Sequence, residues 1–268
     1  MGMPRNLFLV RHGQSEGNKV RREFEETSNE SSFSDEFMNL HESQYALTAL
    51  GIEQAEKAGR WFQKNNIISF DRMLVSNNVR AMQTAAYLNL PQALWMEDFN
   101  LRERDSGLFN VIKPSNKDLN YPNEQRFNDV QPFFFRPPQG ESLADVCLRV
   151  KVVLDTLARE CDGTNVIIVC HGHVMRVFRI ILERMSLQRI NEFLTTEEEW
   201  GRVPNCSIIH YTRSDPFDSE KELSSSFNLV RIIRPAGGGD LEDDFSEIER
   251  KKYSNQKLLA AARKNRNI

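Results

Sequence analysis

The chain reads as an α/β protein, a three-layer α/β/α sandwich with a mostly parallel central sheet, and three observations predict it. Short apolar runs alternate with segments whose apolar residues recur at helical spacing. Two of those runs stop abruptly in a histidine followed by glycine: Leu9-Val10-Arg11-His12-Gly13 and Val166-Ile167-Ile168-Val169-Cys170-His171-Gly172. Parallel strands that each deliver a histidine at their carboxyl end place those side chains in the crevice where open α/β sheets bind ligands. A length of 268 residues with 40% hydrophobic content is enough for one sizeable core.

In chain order, residues 6–10 form the first expected strand and residues 46–65 the first long helix. A strand over 72–75 leads into a helix over 79–88. The helix over 143–160 has a good cap in Ser142, which follows Gly140 and precedes the apolar pattern Leu143, Val146, Val150, Val153, Leu154. The strand over 166–170 precedes a helix over 173–185 that His173 starts, and the last strand spans 229–233.

Two stretches interrupt this plan. Residues 19–44 are acidic and Ser-rich, with Phe24, Phe33, Phe37, Met38 and His41 as their less polar content. A loop of that length leaving the first strand is expected to be either a lid forming one wall of a pocket or a mobile surface loop. Residues 110–138 read as a cap-like loop, broken by Asn116, Asn120, Pro122, Asn123, Pro132, Pro137 and Pro138. Within it Phe133-Phe134-Phe135 is a substrate platform or, more commonly, core packing, and Arg136 is a candidate specificity contact.

Residues 1–235 are assigned to one principal domain and 236–268 to a separate unit, a flexible glycine break followed by a helical appendage. From Asp243 to Arg266 acids lie early and bases late, which complements a helix dipole, and a partner-binding helix is one reading of it.

Net charge is −3, which gives nonspecific nucleic-acid binding no electrostatic support. Cys147, Cys161, Cys170 and Cys206 lie far apart, the pattern of buried thiols in a reducing compartment. No membrane span and no signal peptide is read, so a cytoplasmic location is expected. A homodimer is the default assembly.

Arg11 offers a planar fork of donors suited to phosphate, and His12 beside it is a candidate nucleophile. That triplet alone is a weak signal. It gains specificity from further motifs in a fixed order: Gln14-Ser15-Glu16-Gly17-Asn18, then Leu47-Thr48-Ala49-Leu50-Gly51-Ile52-Glu53-Gln54-Ala55 and Ser76-Asn77-Asn78-Val79-Arg80-Ala81-Met82-Gln83-Thr84-Ala85. Leu101-Arg102-Glu103-Arg104, Gly140-Glu141-Ser142 and His171-Gly172 complete the series. Over roughly residues 6–213 the chain resembles the histidine phosphatase superfamily, in its phosphoglycerate mutase-like branch.

The resemblance implies that His12 is the nucleophile, that Arg11, Arg80 and His171 clamp the phosphoryl oxygens, and that Asn18 belongs to the pocket rim. It further implies that Glu103 is the proton donor and later the base, with Asp105 as the fallback acid. A neutral His12 beside a protonated His171 would have pKa values pushed apart and a bell-shaped pH profile. No cofactor and no metal is implied. A metal reading of Cys170-His171-Gly172-His173 lacks further ligands at zinc-like spacing. Arg149 is either an interior partner for an acid or, as favoured here, a surface charge.

The implied activity is a metal-independent phosphatase working through a phosphohistidine, and its implied partner is a small phosphorylated substrate, with a phosphoprotein as the second candidate. Mutases of this branch carry a basic pair after the segment matching Glu103-Arg104-Asp105-Ser106-Gly107, and here Phe133-Phe134-Phe135-Arg136-Pro137 stands near that place. This favours the broad-range phosphatase type. A cofactor-dependent phosphoglycerate mutase and a non-catalytic phosphate-binding protein are the alternatives.

Overall fold

The computed structural model describes residues 2–196, 201, 203–215, 222–236 and 241–266. Strand β1 (Asn6–Arg11) opens the chain and is followed by helices α1 (Glu16–Thr27) and α2 (Asp35–Asn39) and a 3-10 turn at Glu42–Gln44. Then come α3 (Ala49–Lys64), β2 (Arg72–Val75), α4 (Val79–Tyr87) and β3 (Met96–Glu97). Two short helices, α5 (Pro114–Asn120) and α6 (Pro122–Val130), precede α7 (Leu143–Glu160), β4 (Asn165–Cys170), α8 (Gly172–Leu182) and α9 (Leu187–Thr195). The chain ends with β5 (Ile208–Thr212), β6 (Leu229–Arg234), the two-residue strands β7 (Leu241–Glu242) and β8 (Ser246–Glu247), and α10 (Asn255–Arg266).

The sheet runs β3-β2-β4-β1-β5-β6-β7, with β8 also pairing β6. Its β3-β2-β4-β1 half is parallel, and β5 onward is antiparallel. The central strands are buried on both faces, as continuous apolar runs require. Leu7, Leu9, Val166 and Ile168 face one layer, where α7 and α8 contribute Val146, Val150, Val177 and Phe178. Phe8, Val10, Ile167 and Val169 face the other, against Ala55, Trp61 and Phe62 of α3 and Ala81 and Ala85 of α4. All four cysteines are free thiols; Cys161, Cys170 and Cys206 are buried and Cys147 is half-buried. Among the described residues no helix is long and apolar enough to cross a membrane.

The stretch expected as a long loop over 19–44 is largely helical. Ser15 and Asn18 form a reciprocal capping box that starts α1, and Ser34 caps α2. Its aromatics pack on one another, with Phe33 edge-on to Phe24 and Phe37, and Phe37 stacked on Tyr45 at 4.8 Å. The cap-like region also departs from its expectation, because Pro114 and Pro122 sit in the first turns of α5 and α6, where a missing N–H is harmless.

The tail corrects a third reading. Residues 241–242 and 246–247, placed in a helix from sequence, add strands to β6, and the helix begins only at Asn255. Arg231 decides this locally. It pairs with Glu242 and lies over the Phe245 ring at 4.5 Å, while Trp61 Nε1 donates to the same carboxylate at 3.1 Å. The glycines at 237–239 lie outside the described residues.

Behind the first histidine, the backbone of residues 13–14 lies directly on the start of α3. Thr48 N donates to Gln14 O at 2.9 Å, and a Cβ on Gly51 would meet Gln14 O at 2.1 Å. Gly51→Ala is therefore expected to cost about 1–3 kcal/mol through overpacking. Urea unfolding of the variant measures this, and an unchanged midpoint would contradict the close approach.

Candidate active site

β1 and β4 pair in register from Asn6↔Asn165 to Arg11↔Cys170, and His12 N donates to Cys170 O at 3.0 Å. The next residue on each strand is a histidine, so the two imidazoles emerge together, with ring centroids 5.1 Å apart. Both are buried. His12 Nδ1 donates to the Gly13 carbonyl at 2.6 Å, which fixes the tautomer and leaves the lone pair on Nε2. Arg80 Nε, from the first turn of α4, lies 3.3 Å from that Nε2.

Burial, reinforced by Arg80, His171 and Arg11, pushes the His12 pKa well below its ordinary value. His171 moves the same way, through burial and then Arg80. The expected separation of the two histidines, with His171 protonated, is thus corrected: both are neutral in this environment. A neutral His171 can still donate. Ser76 Oγ lies 2.7 Å from its Nε2 and accepts from Asn78 N, so the hydroxyl proton can serve Nε2 and leave Nδ1–H available. That buried Nδ1 has no partner among the described residues.

Arg11 donates through Nη1 to Val203 O, and its buried Nε has no partner among the described residues. Burial is the first cause that brings its pKa down to about 10, so it remains a cation. Around these groups lies a pocket of about 460 Å³ whose walls include Arg11, His12, Asn18, Arg80 and Glu103. Arg21, Arg22, Arg104 and Arg176 also line it, with Glu25 and Glu42 as the other acids.

Glu103 stands beside both histidines. Burial favours its protonated form, while His173 and His171, whenever they carry a proton, and Arg80 favour the carboxylate and lower its pKa. His173 Nδ1 is 3.5 Å from Glu103 Oε1, so His173 is a site residue and not merely a helix start. The fallback acid is not in the pocket lining; Asp105 Oδ1 accepts from Gly107 N at 2.7 Å.

The loop bearing Glu103 is tied down by Arg149, which is buried, correcting the favoured surface reading. It donates to the carbonyls of Asn100 (2.5 Å), Arg102 (2.8 Å) and Glu103 (3.1 Å) and reaches both oxygens of Glu141 at 3.0 Å. Glu141 also accepts from Asp105 N and Arg102. The signal was in the sequence, since Arg149 lies three residues after Val146, on the buried stripe of α7.

Asn18 reaches the pocket, yet its Oδ1 accepts from Ser15 N at 3.2 Å and from Asn205 Nδ2 at 3.1 Å. Asn205 Nδ2 also donates to His12 O, a positioning contact from the family-like stretch Val203-Pro204-Asn205-Cys206-Ser207, in which no single role had been assigned to it. Arg136 is corrected as a specificity contact. It is exposed, forms a bidentate pair with Asp145 at the start of α7, and is absent from the pocket lining. Phe135 is buried as a packing residue, with Arg104 over its ring at 5.8 Å. Arg176, three residues after His173 and so on the same face of α8, is a further residue that helical spacing could have found.

Donor atoms of His12, Glu103 and His171 lie within 4.8 Å of one another, a spacing that could hold a cation. Arg11 and Arg80 adjoin the same point, and their charge makes it far better suited to an anion.

Comparison with known proteins agrees with this geometry. The family model for the histidine phosphatase superfamily (branch 1) matches residues 7–214. A 2,3-bisphosphoglycerate-dependent phosphoglycerate mutase of Methylorubrum populi is 32% identical over 200 residues, covering 70% of this chain and 84% of that one. The structure of mycobacterial glucosyl-3-phosphoglycerate phosphatase superposes with a TM-score of 0.58 at 21% identity, covering 83% of this chain and 98% of that one. A phosphoserine phosphatase of Entamoeba histolytica, in complex with 3-phosphoglyceric acid, gives 0.56 at 20% identity, with 79% and 91% covered. With a phosphoglycerate mutase-like fold and two buried histidines at the ends of adjacent parallel strands, the chain belongs to the histidine phosphatase superfamily.

Proposed function

We propose that this protein hydrolyses phosphate monoesters through a phosphohistidine on His12, without a metal. The observation that carries the reading is the His12 ring itself: Nδ1 is spent on Gly13 O, and the lone pair on Nε2 is left beside a buried guanidinium. In the first step Nε2 attacks phosphorus, the P–O bond breaks and protonated Glu103 gives the departing oxygen its proton, while Arg11, Arg80 and His171 Nδ1–H stabilise the equatorial oxygens. Buried cations there supply the charge that other phosphatases draw from metal ions. In the second step water attacks the phosphohistidine, and the Glu103 carboxylate takes the water's proton.

The leaving group is inferred from charge. Arg21, Arg22 and Arg176 line the pocket and make no hydrogen bond or ion pair with any described residue. Such a surplus favours a small ester with a second anionic group, such as a carboxylate, over a phosphoprotein side chain. Phosphoglycerate, named in the Methylorubrum relative, has this chemistry. That likeness also keeps a mutase as the second reading; Arg136, near the place of a mutase's basic pair, is held by Asp145 and supports the phosphatase instead.

With chelator present, the enzyme is expected to release phosphate from an aryl phosphate, and His12→Ala to lower the rate by on the order of a thousandfold or more. Strict dependence on a bisphosphorylated primer, with an isomerised product, would favour the mutase. Loss of both Arg21 and Arg22 to Ala is expected to raise KM for a carboxylate-bearing ester about tenfold, leaving an aryl phosphate unaffected. Equal effects on both esters would remove the second-anion reading. Because the His12 pKa is lowered, its imidazole stays unprotonated as pH falls through 6.5. Corrected for the ester's own ionisation, kcat/KM should show no acidic limb near 6.5, and a limb there would contradict the buried environment.

A further inference from the structure

Charge in this chain is divided between the body and the last residues. Residues 251–268 hold six basic residues and no acid, whereas the 250 residues before them hold 29 basic and 38 acidic ones. Folding sharpens the division. The acids that precede this basic arm stay on the body, where Glu242 pairs with Arg231 and Asp243 with Arg234. Arg250 marks the last anchor, its Nη2 donating to Leu182 O at 3.1 Å and to Phe227 O at 2.5 Å. From Lys251 to Arg263 every side chain is exposed except that of Ala261, which is half-buried. Lys251, Lys252, Lys257 and Arg263 make no side-chain hydrogen bond or ion pair with any described residue. The family match ends at residue 214, so the arm lies outside the catalytic fold.

The arm is helical through its own local chemistry. Ser254 Oγ accepts from Lys257 N at 3.3 Å at the start of α10, and Leu258-Leu259-Ala260-Ala261-Ala262 is a run of strong helix formers. A helix of 12 residues is marginal on its own in water, so α10 gains most from a surface that takes up one of its faces. By helical spacing Leu258, Leu259 and Ala262 share a sector of roughly 100°, with Lys257, Arg263 and Lys264 outside it and only Arg266, the last residue, within it. That sector is left to solvent, with Leu258 57% and Leu259 61% exposed. Tyr253, just before the helix, is exposed as well.

We propose that α10 and the lysines leading into it form a docking surface for an anionic phospholipid bilayer, holding the protein at a membrane face without crossing it. Charge complementarity and the apolar sector both point to this partner. At the boundary of an anionic bilayer, leucines sink below the headgroups while bases stay among the phosphates. A nucleic acid matches the bases but offers Leu258 and Leu259 no apolar boundary to enter. The net-negative body opposes wrapping by any polyanion, which confines contact with an anionic surface to the arm.

The test is co-sedimentation of the full chain with vesicles of phosphatidylcholine alone and with about 30% phosphatidylserine, at salt of about 0.05 and 0.5 M. Wild type is expected to bind the serine-containing vesicles at low salt, to leave them at high salt, and to ignore phosphatidylcholine. Each base beside such a surface raises partitioning about fivefold, so the triple variant Lys252→Glu/Lys257→Glu/Arg263→Glu should lower it about a hundredfold or more. Leu258→Ser/Leu259→Ser, with every charge kept, should lower it about tenfold. Failure of wild type to bind the anionic vesicles, equal binding to both vesicles, or indifference to the charge reversal overturns the proposal. An unchanged leucine variant overturns the assigned helix face. Dissolved glycerophosphoserine should displace nothing; displacement would make the arm a site for a free anion and sink the bilayer assignment. Tighter binding to homopolymer RNA than to vesicles at equal salt, or a dimer that only the charge reversal dissolves, gives the arm another partner and also overturns it. The substituted side chains are exposed, so the body is expected to keep its urea midpoint. Should a variant unfold, the salt dependence and the contrast between vesicles in wild type still decide.

Discussion

The pairing of β1 with β4 is the constraint on which the rest depends. Parallel register brings Arg11 opposite Cys170, and one further ladder bond, from His12 N to Cys170 O, keeps the strands together until both have left the sheet. Two histidines separated by more than 150 positions in sequence are thereby fixed with ring centroids 5.1 Å apart, at the carboxyl end of buried strands. A one-residue slip would turn either side chain to the opposite face of the sheet. Burial at that place then decides protonation: an imidazolium is disfavoured by desolvation and by neighbouring arginines, so both rings stay neutral.

Holding several guanidiniums close together in a half-dry pocket is costly unless their donors are satisfied. Arg11, Arg80 and Arg104 are met by carbonyls. Arg11 uses Val203 O, Arg80 uses Glu42 O, and Arg104 uses the carbonyls of Glu141 and Phe135. A carbonyl meets the hydrogen-bond requirement without cancelling the cation's charge. The field at His12 therefore stays positive and available to a phosphoryl group. Arg149 is the contrasting case, because its charge is matched by Glu141 and its remaining donors shape the loop carrying Glu103. One arginine organises the site through an ion pair, and the others act on it through unneutralised charge.

Segments that look peripheral in sequence build the outer site. The 19–44 stretch supplies Arg21, Arg22 and Glu42 to one wall, and its aromatic stack onto Tyr45 gives it a small apolar anchor of its own. At the other end of the sheet, β7 and β8 cover part of the edge left by β6, a common way of blunting an exposed strand.

The sequence by itself determined the alternation of strands and helices, the histidine at the end of each central strand, and the cap at Ser142. These are local properties: apolar periodicity, turn chemistry and side-chain hydrogen bonds over three or four residues. His12, His171, Arg11, Arg80 and Glu103 were legible because their motifs carry their neighbours' context. Glu42, Arg21, Arg22 and His173 had no such signal; their roles arise from groups on other elements, and only folding sets those distances. Tertiary structure also decided which charges are buried. Arg149 became interior because the loop over 100–105 offers three carbonyls and Glu141 a carboxylate, whereas Arg136 stayed exposed because Asp145 met it outside the pocket. Protonation was decided there too, since desolvation and the summed field of distant residues, absent from any local pattern, set the state of each imidazole and carboxyl.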